Sequence, residues 1–213
     1  MTGNIKLLLV GATGLVGRHV LEQALADPRV ALVVAPGRRA LPTHPKLFSP
    51  LVDFDRLDQN ASWWHADAVI CTLGTTMKVA GSQAAFRRVD HDYPLAVARL
   101  TRANETPTYV LNSATGADAG SRFFYNRVKG ELEKALMDEG FASLTFVRPG
   151  LIGGEREASR PAERLMVGAL SLAGPLLPAR WRLNPAPQIA RALLAAALNA
   201  QPGRHIVTAD QLI

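Results

Sequence analysis

The aliphatic run Ile5–Val10 ends abruptly at Gly11-Ala12-Thr13-Gly14-Leu15-Val16-Gly17. This junction leaves the chain little choice of fold. A short apolar run closed by glycine reads as a strand of a parallel sheet covered on both faces. The glycines then divide the work of a strand-to-helix turn. Gly11 permits the tight bend, Gly14 removes a side chain where a diphosphate would approach, and Gly17 lets helix and strand pack closely. The unpaired amides around Thr13, Gly14, Leu15 and Val16, together with the helix dipole, suit a doubly charged bridge. A turn of this kind can exist without a ligand, but three glycines at this spacing between a strand and a helix favour a dinucleotide.

The rest of the chain repeats the alternation. A helix over 18–26 stops at Asp27-Pro28, and Val30–Ala35 forms a second strand broken by Pro36-Gly37. A loop with three prolines leads to a short third strand at Leu51-Val52, ending at Asp53. Ala66–Leu73 is a fourth strand. Residues 82–104 are helical, with Pro94 kinking or splitting them. Thr108–Leu111 is a fifth strand, 122–139 a helix closed by Gly140, and Leu144–Val147 a sixth strand. Strands and helices in this order mean right-handed crossovers and a Rossmann-type, doubly wound parallel sheet of the α/β class in three layers. Residues 1–213 form one domain, with a small C-terminal lid over roughly 151–187 lined by Leu165, Leu172, Leu176, Leu177 and Trp181. The apolar helix at 189–200 is free to pack on the sheet or on another subunit.

Composition narrows the function classes. The net charge is +6, but the basic residues are scattered and no aromatics alternate with them. A solvated surface, or attraction for an anionic ligand, is therefore favoured over a nucleic-acid footprint. The five histidines fall on separate elements without metal-ligand spacing, so no metal is expected. The single Cys71 lies in an apolar strand as a small buried hydrophobe and fits a reducing compartment. No apolar stretch reaches the roughly 20 residues that span a bilayer, and no signal peptide is evident, so a cytoplasmic placement is expected.

The end of the second strand speaks to the type of cofactor. An NAD-selective protein usually places an acid there for the ribose 2′-hydroxyl. This chain has Ala35-Pro36-Gly37-Arg38-Arg39, and an arginine fork suits a 2′-phosphate. NADP(H) is accordingly expected over NAD(H). Downstream, Tyr125 and Lys129 share one helix face. Ser113 ends the fifth strand, at the edge where parallel sheets open their crevice. A lysine cation lowers the pKa of a nearby phenol and readies it for general acid–base work on a carbonyl, which a serine hydroxyl could orient.

Taken together, Gly11–Gly17, Pro36–Arg39, Cys71–Thr76, Arg88–Tyr93, Tyr125–Glu131 and Arg148–Gly150 resemble the atypical short-chain dehydrogenase/reductase superfamily, in its Tat-interacting-protein-like, NAD(P)H-binding oxidoreductase branch. The resemblance covers nearly the whole chain. It implies that Ser113, Tyr125 and Lys129 are the catalytic residues, with Lys129 also bonding the nicotinamide ribose. Asp53 would contact adenine, Leu73, Gly74 and Thr75 would lie beneath the cofactor, and Pro149 and Ile152 would lie beside the carboxamide. The pattern departs from the family at Val89-Asp90-His91, where many active relatives carry a proton-relaying asparagine. The expected activity is NADP-dependent hydride transfer to or from a small carbonyl or alcohol by a monomer or homodimer. A sensor of NADP(H) with little turnover is the alternative.

Overall fold

A computed structural model describes residues 5–153 and 183–213. Its centre is β1 (Ile5–Val10), in which Leu7, Leu8, Leu9 and Val10 are all fully buried. Burial on both faces follows from the layers. Leu7 and Leu9 pack into one core with α1 (Leu15–Ala26) and α6 (Ala186–Leu198). Leu8 and Val10 pack into a second core with α4 (Tyr93–Ala103) and α5 (Phe124–Asp138). A strand between two helical layers has no polar face, so its sequence shows no alternation.

With β2 (Val30–Val34), β3 (Leu47–Phe48), β4 (Ala68–Cys71), β5 (Thr108–Asn112), β6 (Ser143–Arg148) and β9 (Gly203–Thr208), β1 forms a seven-stranded sheet in the order β3-β2-β1-β4-β5-β6-β9. Every pairing in it is parallel. This is the Rossmann-type arrangement. The chain runs outward from β1 through β2 to β3 and returns to β4 on the opposite side, so a crevice opens beyond the carboxyl ends of β1 and β4. The pairing of Val10 with Cys71 sets Gly11 beside Thr72 at that crevice.

Three features differ from the sequence reading, and a fourth settles a point it left open. The third strand is Leu47–Phe48, whereas Leu51 makes only a single bridge to Gly37 and is 68% exposed. A two-residue edge strand between prolines needs no apolar signature, and the more apolar Leu51-Val52 pair drew the assignment. A short helix α2 (Met77–Ala80) precedes the helical stretch expected over 82–104, which is itself divided into α3 (Gln83–Arg87), a widened turn over Arg88–Asp92, and α4. Pro94 lacks an N–H, and just before it the Tyr93 amide donates five residues back, to the Arg88 carbonyl. The strand β9, not anticipated, is an exposed edge carrying Arg204 and His205. Finally, α6 buries Ile189, Ala190, Leu193, Leu194 and Ala197 against α1 and the sheet, so its apolar faces are used within the chain.

The lid expected at 151–187 is described only at its ends. There β7 (Ile152–Gly153) pairs with β8 (Asn184–Pro185), and Asn184 accepts the Gly150 N–H at 2.7 Å. Its remaining residues, including the five apolar ones named above, lie outside the described residues. Trp64 is fully buried, its Nε1–H donating to the Asp58 carbonyl at 2.7 Å, and packs against Trp63.

Candidate active site

At the end of β1 the chain turns on Gly11, whose φ of +87° lies in the region glycine favours. A Cβ on Gly17 would overlap the Gly11 carbonyl oxygen and stand 2.7 Å from Thr72 Oγ1. The helix therefore sits as close to β1 as backbone allows. Gly14 is different: a Cβ there would meet only the Gly11 oxygen, at 3.2 Å. No side chain caps α1, and its first turn holds no acid. Its uncapped amides and positive dipole end thus open outward, a cradle for an anionic ligand.

They open onto a cavity of about 860 Å³ that begins at Thr13, Gly14, Leu15, Val16 and Arg18 and runs past Leu73, Gly74 and Thr75 to Asn112, Ser113, Tyr125, Lys129 and Ile152. A smaller hollow of about 60 Å³ adjoins it, lined by Gly11, Ala35, Arg38, Arg39 and Phe54 among others. Arg39 lines both, its Nη2 lying 3.5 Å from Thr13 Oγ1. The fold thus brings together most residues the sequence singled out. Asp53 is an exception. Its Oδ1 accepts the Asp55 N–H at 3.0 Å and it lines neither space, whereas the neighbouring Phe54 lines the hollow. Pro149 is buried behind the cavity wall, its carbonyl accepting the Thr115 N–H, and Gly17 serves packing alone.

At the far end, α5 presents Tyr125 and, one turn on, Lys129. Gly130 makes room for this: a Cβ there would overlap the backbone of Asp118 and Ala119, so the loop after β5 lies directly on the helix. Tyr125 is 40% exposed and its ring packs on Phe86, centroids 5.7 Å apart. Lys129 is buried, and its Nζ meets Asp90 Oδ1 at 2.8 Å. The other carboxylate oxygen accepts the Thr75 N–H at 2.7 Å. Burial alone would push the Lys129 pKa down, but the Asp90 carboxylate, helped by Tyr125, more than offsets this and holds it above the usual 10.5.

The sign of the pH effect follows. A folded pKa raised above the unfolded one gives stability that is complete below pH 10.5 and lost only as pH rises through the folded value. Stripping Asp90 to alanine leaves a buried cation unpaired, at a cost of about 3–5 kcal/mol. Because burial alone depresses the Lys129 pKa once Asp90 is gone, the melting-temperature gap between the native chain and Asp90→Ala should narrow as pH rises through the variant's depressed lysine pKa, well before the native lysine loses its proton. A gap that stays constant from neutral pH up to 10.5 would contradict the pairing.

Ser113 also behaves differently from expectation. It lines the cavity, but its Oγ donates to Glu133 Oε1 at 2.5 Å, and Glu133 is clamped in two-pronged fashion by Arg148, whose Nε lies 3.0 Å from Oε1. Arg148 is in turn held above its ordinary pKa by that carboxylate. A hydroxyl has one proton, and here it is engaged. Asn112, next in line, has a buried Oδ1 with no hydrogen-bond partner among the described residues. An unpaired acceptor on a cavity wall is a place for a ligand donor.

Arg18, Asp90, Asn112 and Glu133 were not assigned roles from sequence. Of these only Asp90 carried a signal: an acid one turn from the buried Phe86, on a face that otherwise points inward, has to find a cation. Burial raises the Cys71 thiol pKa, as befits a core residue. Among the described residues no three potential metal ligands cluster, and no helix is long and apolar enough to cross a membrane.

No family model matches the chain. Individual relatives do. It is 38% identical over 178 residues to "Protein fmp52, mitochondrial" of Emericella nidulans, covering 76% of this chain and 74% of that one. It is 36% identical over 167 residues to Protein HTATIP2 of Rattus norvegicus, covering 76% and 69%. The chain belongs to the HTATIP2/FMP52 family of atypical short-chain dehydrogenases/reductases. Other fungal members of the HTATIP2/FMP52 family, including one from Coccidioides immitis that is 34% identical over 213 residues, are also named mitochondrial, which overturns the cytoplasmic placement expected from sequence. The fold of this family member is shared with MoeE5, solved in complex with UDP-glucose and NAD, at a TM-score of 0.72 and 16% identity over 95% of this chain and 75% of that one. It is shared as well with a short chain dehydrogenase family protein from Francisella tularensis, at 0.67 and 12% over 97% and 98%.

Proposed function

We propose that this chain is an NADP(H)-dependent oxidoreductase that acts on a small carbonyl or alcohol, with Tyr125 as the proton-transferring group. The observation that carries the reading is the placement of Tyr125 and the buried Lys129 at one end of a cavity whose other end is the uncapped start of α1. The family and the NAD complexes of neighbouring folds support a nicotinamide dinucleotide. Such a group, when bound, supplies or takes a hydride, that is, two electrons and a proton's mass in one transfer.

The residues present fit it. The amides of α1 and the open side of Gly14 would hold the diphosphate, and Arg39 with Arg38 would hold a 2′-phosphate beside Thr13. Lys129 and the orphaned Asn112 Oδ1 would take ribose or carboxamide donors and acceptors. Tyr125 gives its Oη proton to the substrate oxygen, or takes it in the reverse direction. Ser113, its proton held by Glu133, offers a lone pair and not the donor first expected of it.

Calorimetric titration with NADPH and NADH tests the cofactor. Arg39→Ala should weaken NADPH by roughly ten- to a hundredfold, the worth of about 1.5–3 kcal/mol for a charged hydrogen bond, and leave NADH unchanged. Equal or tighter NADH binding by the native chain would remove the preference. The engaged Ser113 proton favours a second reading, a protein that senses NADP(H) with little turnover. Tight NADPH binding without oxidation by aldehydes, ketones or quinones would select it.

A further inference from the structure

We propose that Asp90 lets this site hold the oxidised dinucleotide: it matches the Lys129 cation, which would otherwise repel a positively charged nicotinamide ring, and so sets the affinity for the oxidised form relative to the reduced one. This rests on the dinucleotide part of the reading above and needs neither turnover nor a substrate.

The geometry is specific. Lys129 Nζ and Asp90 Oδ1 are 2.8 Å apart, with side chains 4% and 1% exposed. The second carboxylate oxygen accepts the Thr75 N–H at 2.7 Å, which ties Asp90 to the loop after β4. Gly74 brings that loop against the pair, since a Cβ there would stand 3.3 Å from Asp90 Oδ1 and 3.8 Å from Lys129 Nζ. Gly74, Thr75, Asp90 and Lys129 all line the cavity. With the diphosphate cradled by the α1 amides at one end, the nicotinamide half of the ligand falls to the end that holds this pair.

Oxidised and reduced dinucleotides share every phosphate and sugar. They differ at the nicotinamide ring, which carries one positive charge when oxidised and none when reduced. Contacts common to both forms, those of Arg39 and the α1 amides among them, therefore cancel in the ratio of the two dissociation constants. What remains is the charge near the ring. A lone ammonium out of water disfavours the oxidised ring, whereas an ammonium touching a carboxylate projects a far weaker field. The other charged groups described around the pair are matched among themselves. Glu133 on the next turn of α5 pairs with Arg148 on β6, Arg87 on α3 with Glu131, and His91 with Asp92 at 2.8 Å. Cys71 on β4 is a thiol whose pKa burial raises. Arg18 and Arg39 line the opposite end of the cavity, by the glycine turn.

Calorimetric titration with NADP+ and NADPH, on the full chain carrying Tyr125→Phe, reads this without turnover and without the phenol one turn from Lys129. At pH 6.5, where Lys129 keeps its proton, Asp90→Asn preserves the shape and uncovers the ammonium. It should raise the ratio of the oxidised to the reduced dissociation constant at least about tenfold, the effect of a unit charge over several ångströms at protein-like dielectric. Each tenfold raises the two-electron potential of the bound couple by about 30 mV. Loosening of the Thr75 loop would weaken both forms and leave the ratio alone. Adding Lys129→Met to Asp90→Asn removes the cation as well and should bring the ratio back to its starting value. An unchanged ratio in Asp90→Asn overturns the proposal, as does a shifted ratio that Lys129→Met fails to restore. Should Asp90→Asn not fold, Asp90→Ser, whose smaller side chain admits water to the ammonium, is read in its place by the same criteria. Binding of neither dinucleotide by the native chain would overturn the cofactor reading itself, and the role of Asp90 with it, whereas binding with an unmoved ratio spares that reading.

Discussion

Replacing Tyr125 by phenylalanine is expected to lower turnover at least about a hundredfold, the lower bound for a placed general acid, while NADPH affinity and melting temperature stay within error. The separation follows from where the side chain sits. Its ring packs on Phe86 and is otherwise substantially open to solvent, so phenylalanine preserves the packing and removes only the hydroxyl. Among the described residues, the two other polar groups at this end are engaged. The Ser113 proton is held by Glu133, and the Lys129 ammonium is turned to Asp90. Steady-state NADPH oxidation, with calorimetry on the same preparation, measures both quantities. Full turnover in the phenylalanine variant would end the assignment of Tyr125, whatever the cofactor result.

The second large effect separates two glycines that a motif treats alike. Gly17→Ala should destabilise the chain by at least about 3 kcal/mol, the upper end of overpacking, lowering the melting temperature by roughly 6–12 °C for a chain of this size. The added carbon would collide with the Gly11 carbonyl, which is backbone and cannot swing aside, and would crowd the Thr72 hydroxyl as well. Gly14→Ala should leave the melting temperature nearly unchanged, because a Cβ there would meet, among the described residues, only the Gly11 oxygen at 3.2 Å, yet weaken dinucleotide binding at least about tenfold by filling the space over the α1 amides. Paired thermal melts and titrations decide it. A Gly17→Ala variant with native stability would mean that the turn is looser than described. Undiminished binding by Gly14→Ala would mean that the diphosphate lies elsewhere.

Much of the site was readable before any coordinates because it depends on local rules. A strand, a glycine turn and a helix make an anion cradle through backbone amides alone, and Tyr125 and Lys129 share a face through helical spacing alone. What escaped was of two kinds. Boundaries were lost where burial no longer accompanies the element: β3 is two residues at an edge, and β9 pairs only with β6 and exposes most of its side chains. Contacts between distant segments were lost as well. Ser113 is 20 residues from Glu133, and Asp90 is on a different element from Lys129. Asp53 shows the other side of this, a residue carried over by position whose carboxylate accepts an N–H of its own turn while Phe54 faces the hollow.

The sequence by itself determined the class of fold, the phosphate-type cradle and the tyrosine–lysine pair, since each follows from residue type and spacing within one or two elements. Tertiary structure alone decided the charge state of the site. Asp90, in the turn widened ahead of Pro94, meets Lys129, and Glu133 on α5 meets Ser113 and Arg148 at the ends of β5 and β6. Electrostatic balance in a buried crevice depends on which groups touch across the fold, and spacing along the chain carries no record of that.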